Sequence, residues 1–174
     1  MLFRSNRYRL LKVFLGNPTE SFRLRELGRL SSLAPLSVRN YLEEFENEGL
    51  VRKFMKRGIP FYQALRDSEK FILCKKLSIV YELHESGLVD FLWNSLSPDA
   101  IILYGSHAKG EATEESDIDI FIIGKERETS MAEFEKKLDK RIHLMFERDA
   151  KKIPKELLNN LINGIVLKGY LKVF

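Results

Sequence analysis

Two apolar runs and the polar stretch between them constrain this chain most: Ala100 to Tyr104 leads into Gly105-Ser106, and ten residues after that pair Asp117 opens the run Ile118 to Ile123. Both runs read as buried strands, being short, apolar and bounded by turn residues. Downstream, Met131 to Lys140 reads as a helix, Arg141 to Phe146 as a third strand, Lys155 to Ile162 as a helix and Gly164 to Leu167 as a short strand. Strands alternating with helices predict an α/β (α+β) domain over residues 98–174, a mixed sheet with flanking helices.

The first third follows another pattern. Ser5 to Leu15 reads as a helix with Tyr8, Leu11, Val13 and Leu15 at its apolar positions, ended by Gly16-Asn17-Pro18. Ser21-Phe22-Arg23 reads as a minimal strand. Leu24, Leu27 and Leu30 mark a second helix, Ser31-Ser32 a turn, and Pro35 the first turn of a third helix running to Glu48. In that third helix Val38, Tyr41, Leu42 and Phe45 fall at i, i+3, i+4 and i+7, which makes one buried face. Gly49 closes it, and Val51 to Met55 and Phe61 to Ala64 flank Lys56-Arg57-Gly58-Ile59-Pro60 as two strands around a turn. This order predicts a winged helix-turn-helix over residues 1–66. From Ser68 to Leu96 the pattern is helical again, with a break near Gly87. Phe71, Leu73, Leu77, Val80, Tyr81 and Leu83 are too apolar for a free tether, so residues 67–97 read as a helical linker packed against both halves.

Composition sets the outer limits. Apolar residues make up 44% and charged residues 31% of the 174, as in an ordinary globular protein. No apolar run approaches the roughly 20 residues of a membrane span, and no export signal is legible, so the expectation is a cytoplasmic protein without membrane association. Cys74 is the only cysteine, which excludes an internal disulfide and a cysteine-based metal site; it reads as a buried spectator. Charge is uneven along the chain. Residues 1–66 hold 13 Lys+Arg against 6 Asp+Glu, a balance of +7, while residues 67–174 hold 16 against 19, a balance of −3. A polyanion partner for the first third and separate chemistry for the rest fit that division.

The separate chemistry centres on Gly105-Ser106 and Asp117-Ile118-Asp119. Residues i and i+2 of a strand point to one face, roughly 6 to 7 Å apart, so Asp117 and Asp119 can converge on one hard cation, Mg²⁺ or Mn²⁺. Gly105 lets the backbone approach phosphate oxygens, Ser106 adds a hydroxyl, and a helix starting near His107 would aim N–H groups at the same anion, with His107 and Lys109 near enough to assist. A P-loop is excluded, because Glu111-Ala112 stands where Lys and Ser/Thr must follow Gly110. A calcium loop is excluded by Phe121 at the place of the next oxygen ligand. His84 reads as structural.

At these residues the chain resembles the DNA polymerase beta-like nucleotidyltransferase superfamily, and within it the minimal nucleotidyltransferase subgroup. Ile102 to Gly110 and Ser116 to Phe121 are similar to those proteins almost position by position, and the likeness covers residues 98–146. Winged-helix domains ahead of such a module are similar to a group of prokaryotic, often archaeal, proteins. The resemblance implies Gly105 and Ser106 on the triphosphate of ATP or another NTP, and Asp117 and Asp119 as catalytic metal ligands. It also implies transfer of NMP to a protein or RNA hydroxyl, and an antitoxin-like role in which a cognate toxin is the acceptor. Active relatives place a third carboxylate on the strand after the helix. Here His143 stands there; a neutral imidazole can serve as a general base, and Glu147 lies roughly 13 Å further along a strand. The alternative is a nucleotide-sensing transcription regulator with weak or no turnover.

For the basic arm, duplex DNA is the expected partner. A recognition helix over residues 34–48 leaves Ser37, Arg39 and Asn40 outward for base edges, while Arg52, Lys53, Lys56 and Arg57 place the wing on phosphate. Glu43, Glu44, Glu46 and Glu48 keep the second half of that helix off the backbone. A homodimer is the arrangement such regulators commonly adopt on paired half-sites.

Overall fold

A computed structural model describes residues 2–149 and 152–171. The chain divides into two compact units, Met1–Ser78 and Ile79–Phe174. Together they hold eight α-helices and two sheets among the described residues, a mixed α/β composition in line with the α+β nucleotidyltransferase fold expected for the second unit.

In the first unit α1 (Asn6–Gly16) is capped by Ser5, whose hydroxyl accepts the Tyr8 N–H at 3.1 Å. Its buried side is Leu10, Leu11, Phe14 and Leu15; Tyr8 and Val13, expected as core positions, sit at the margin and are half-buried. After β1 (Ser21–Phe22) comes α2 (Leu24–Ser31), whose buried residues are Leu27 and Ser31. Leu30 is 59% exposed, because spacing by three drifts 60° per step around a helix of 3.6 residues per turn. Helix α3 (Pro35–Asn47) starts on Pro35 and buries Val38, Leu42 and Phe45, while Tyr41, expected on the same face, is half-buried at its margin.

Strands β2 (Val51–Lys56) and β3 (Ile59–Ala64) are longer than expected, leaving Arg57-Gly58 as the turn. Both turn residues have positive φ, 51° and 74°, the conformation that lets a two-residue hairpin follow the strand twist. Pro60 thus lies inside β3, and it is tolerated because β1 pairs β3 only at Tyr62 and Gln63. The sheet order is β1-β3-β2, all antiparallel.

Helix α4 (Glu69–Glu85) begins in the first unit, where Phe71 joins the core with Phe14 and Phe45, and ends in the second, where Ile79 and Leu83 join another. Leu73 and Leu77, expected to pack, are 55% and 54% exposed, since Phe71, Lys75 and Ser78 occupy the opposite, buried side. Cys74 is half-buried rather than buried, and burial raises its thiol pKa.

The second unit continues with α5 (Leu88–Leu96), β4 (Ala100–Tyr104), α6 (Gly105–Lys109), β5 (Ile118–Ile123), α7 (Ala132–Leu138), β6 (Ile142–Glu147), α8 (Lys155–Ile162) and β7 (Ile165–Gly169). Its sheet runs β6-β5-β4-β7, with β5 and β6 parallel and the other pairs antiparallel. Alternation gives the sheet two differently covered faces. Ile101, Leu103, Ile118, Ile120, Ile122 and Ile142 pack with Leu83, Leu88, Leu92 and Phe134. Ala100, Ile102, Phe121 and Ile123 point the other way, onto Ile153 and Leu161. That second face runs on past its apolar half into polar residues.

Candidate active site

Register explains where the polar end of the sheet lies. Tyr104 of β4 stands opposite Asp119 of β5, and Asp119 stands opposite His143 of β6, so all three share the face carrying Ile102, Phe121 and Met145. Asp117, two residues before Asp119, falls on that face just ahead of the strand. His143 Nδ1 lies 3.7 Å from Asp119 Oδ1, with the His143 side chain 66% exposed and that of Asp119 29%. Glu147 sits at the far end of β6 opposite Ile123, where its Oε1 accepts the N–H groups of Arg148 and Asp149.

Gly105 closes the site on the β4 side. Its φ is +71°, and a Cβ there would collide with the Asp119 carboxylate. Only glycine meets both requirements without strain. Burial is the largest influence on Asp119 and raises its pKa; the neighbouring Asp117 charge adds to the rise, and His143 opposes it. Tyr104, donating its hydroxyl to Met145 Sδ at 2.9 Å, is likewise raised by burial first and by Asp119 second. Two carboxylates on one face, one of them partly withdrawn from solvent, make an arrangement that a cation would relieve. Its donors are hard carboxylate oxygens, suited to Mg²⁺ or Mn²⁺. Among the described residues no group of three or more His, Cys, Asp or Glu is placed to hold a metal ion.

The loop between Gly105 and Asp117 is held from both sides. Helix α6 starts at Gly105, two residues before the expected start, and spans five residues. The imidazole of His107 is buried and its Nε2 lies 3.3 Å from the Ser116 carbonyl oxygen, while Ser116 Oγ accepts the Thr113 N–H at 2.8 Å. Lys140 Nζ donates to the carbonyls of Glu114 at 2.9 Å and Thr113 at 3.3 Å. Ser106 is half-buried and Lys109 exposed. Tyr104 and Lys140 were not legible as site residues: the first needs the β4–β5 register, and the second lies outside α7, which is shorter than its apolar pattern predicts.

In the first unit Arg39 and Asn40 are exposed on α3 and Ser37 is half-buried. Alternation in the hairpin separates the four basic residues: Arg52 and Lys56 share one face, Lys53 lies on the other, and Arg57 is at the turn. Two acids here, Glu44 on α3 and Glu48 just past its end, are not free charges. Arg7 bonds Glu44 at 3.0 Å and Glu48 at 2.5 Å, with its guanidinium 5.0 Å from the Phe45 ring.

The family model of the nucleotidyltransferase domain matches residues 87–167, from α5 into β7 and across the whole candidate site. The match supports placing this region in the nucleotidyltransferase superfamily and nucleotidyl transfer as the general chemistry; such domains use a nucleoside triphosphate and a divalent metal. No curated protein matches the chain. No helix among the described residues is long and apolar enough to cross a membrane.

Proposed function

We propose that the chain transfers a nucleoside monophosphate, AMP from ATP, to a hydroxyl of a protein or RNA with Mg²⁺, in an antitoxin-like setting, and that its first unit is a winged helix-turn-helix bound to duplex DNA. The observation that carries the catalytic part is the close approach of Gly105 to the Asp119 carboxylate, on the sheet face that also bears Asp117 and His143. Asp117 and Asp119 would hold the metal, which would supply charge neutralisation for the triphosphate and the leaving pyrophosphate. Gly105 and Ser106 bring backbone and hydroxyl to the phosphates, and Lys109 adds a mobile positive charge. His107 serves through the loop: its buried ring holds Ser116, and so the approach to Asp117. His143 takes the proton of the attacking hydroxyl at a ring nitrogen as that oxygen bonds the α-phosphorus and pyrophosphate leaves. The test is transfer of label from labelled ATP to toxin-like protein and RNA acceptors. No labelled acceptor, or equal labelling by Asp117→Asn and Asp119→Asn variants, would sink the proposal.

One observation favours a second reading, a regulator that binds nucleotide without turnover: the strand position beside Asp119 holds His143 and not a carboxylate. His143→Ala separates the two. In the enzyme it removes the base and lowers transfer by about 100-fold, while in the sensor it leaves ATP-dependent changes in DNA binding intact.

For the DNA arm, support comes from exposed Arg39 and Asn40 on α3 and from a hairpin tip carrying Lys56 and Arg57. Arg39→Ala and Arg57→Ala should each weaken salt-sensitive binding to duplex DNA in gel shifts; unchanged affinity in both defeats this part.

A further inference from the structure

The outer face of the three-stranded sheet in the first unit is not used by any contact proposed above except those of Arg52 and Lys56. Pairing sets its rows. Ser21, Gln63 and Arg52 form one row, Phe61 and Phe54 the next, and Ile59 and Lys56 the third. On the opposite face Val51, Tyr62 and Ala64 are buried in the core, while Lys53 and Met55, nearer the turn, are exposed. On the outer face the Phe54 and Phe61 rings stack, their centroids 6.0 Å apart and their planes 27° from parallel.

Three cations stand around these two rings. Arg23 lies 5.2 Å and Lys56 5.8 Å from the Phe61 centroid, and Arg52 lies 5.8 Å from that of Phe54. None of the three is in a salt bridge among the described residues. The carboxylate beside Arg23, that of Glu26, is turned to its backbone N–H at 2.7 Å. Arg52 spends one N–H on Gln63, whose own amide donates to the Thr19 carbonyl, so the row behind the rings is fixed by hydrogen bonds.

Aromatic faces offer stacking, unpaired cations offer phosphate neutralisation, and the two together at one spacing suit a strand whose bases are not already stacked in a duplex. Duplex DNA presents phosphates without free base faces, so it would leave Phe54 and Phe61 unused. We propose that this sheet face is a platform for a single strand of nucleic acid, with bases on Phe54 and Phe61 and phosphates on Arg23, Arg52 and Lys56. It goes beyond nucleotidyl transfer and does not rest on it.

Fluorescence anisotropy on the whole chain tests this, using labelled oligothymidine, oligouridine and duplex DNA of about 12 nucleotides, the footprint scale of a single-strand platform. Both single strands should bind more tightly than the duplex at moderate salt. Phe54→Leu and Phe61→Leu keep the apolar volume and remove the ring face, so each should weaken single-strand binding about five- to tenfold with the melting temperature held. Arg23→Gln with Lys56→Gln, both at the surface, should flatten the salt dependence. The proposal is overturned if the duplex binds as tightly as the strands and the leucine variants bind like the parent. It is overturned equally if Arg39→Ala lowers single-strand and duplex binding alike, since that places both on α3.

Discussion

In the unit Met1–Ser78 the charged residues with proposed roles stand outside a continuous apolar core, whereas in Ile79–Phe174 one carboxylate is drawn to the edge of the core, between a glycine and a histidine. Arg39, Arg52, Lys56 and Arg57 are exposed, and in the proposed DNA contact each would add to a shared long-range charge. Asp119 is fitted against Gly105, has its pKa raised by burial and by Asp117, and shares its face with His143. The difference teaches what each kind of site tolerates. A charged surface loses function in steps, residue by residue, while a fitted site loses it at once and carries a cost in stability.

The largest effect expected is in the second unit. Asp117→Asn and Asp119→Asn should each cut nucleotide transfer by about 100- to 1,000-fold, as measured by labelling rate, because no neighbouring group replaces a hard oxygen donor. Next in size is Gly105→Ala, which adds a Cβ on the Asp119 carboxylate at a φ of +71°. A loss of about 1–3 kcal/mol in denaturant stability should accompany loss of ATP binding. In the first unit, Lys56→Ala with Arg57→Ala should reduce duplex affinity several-fold at low salt and lower the salt slope by about one unit per removed contact, with the melting temperature unchanged. An all-or-none loss there would break the comparison.

The smallest effect tests the stability cost. Asp119→Asn should raise the melting temperature of the metal-free protein by about 1–3 °C near neutral pH. The folded-state pKa of Asp119 lies above its ordinary value of 3.8, so the acidic form favours folding. That contribution is complete below the ordinary value and is lost as pH rises through the raised one. The advantage of asparagine should therefore be full above the raised value and vanish as pH falls below 3.8, as melting curves across pH would show.

The apolar runs Ala100 to Tyr104 and Ile118 to Ile123 are legible in the sequence as β4 and β5. Gly105, Asp117 and Asp119 stand out as candidates because they sit at the polar ends of those runs, and strand alternation sets His143 opposite Ile142 and Leu144, where the register brings it beside Asp119. The extents of α1 and α3 are legible from Gly16-Asn17-Pro18, Pro35 and Gly49, but the apolar pattern of α1 misses Leu10 and Phe14, which are fully buried. Leu30 was misplaced because three-residue spacing holds a helix face only over short spans. The hairpin turn was drawn too long because Pro60 signals a loop unless one side of the strand is unpaired. Tyr104, Lys140 and the Phe54–Phe61 pair depend on cross-strand register or loop closure, which no local pattern encodes.

The central claim is that Gly105, Asp117 and Asp119 form a site for a metal-bound triphosphate. Calorimetric titration of ATP with Mg²⁺, and again with EDTA, tests it most directly. ATP should bind with Mg²⁺ present, lose its affinity in EDTA, and show no heat with the Asp117→Asn, Asp119→Asn double variant. Equal binding in all three would contradict the account.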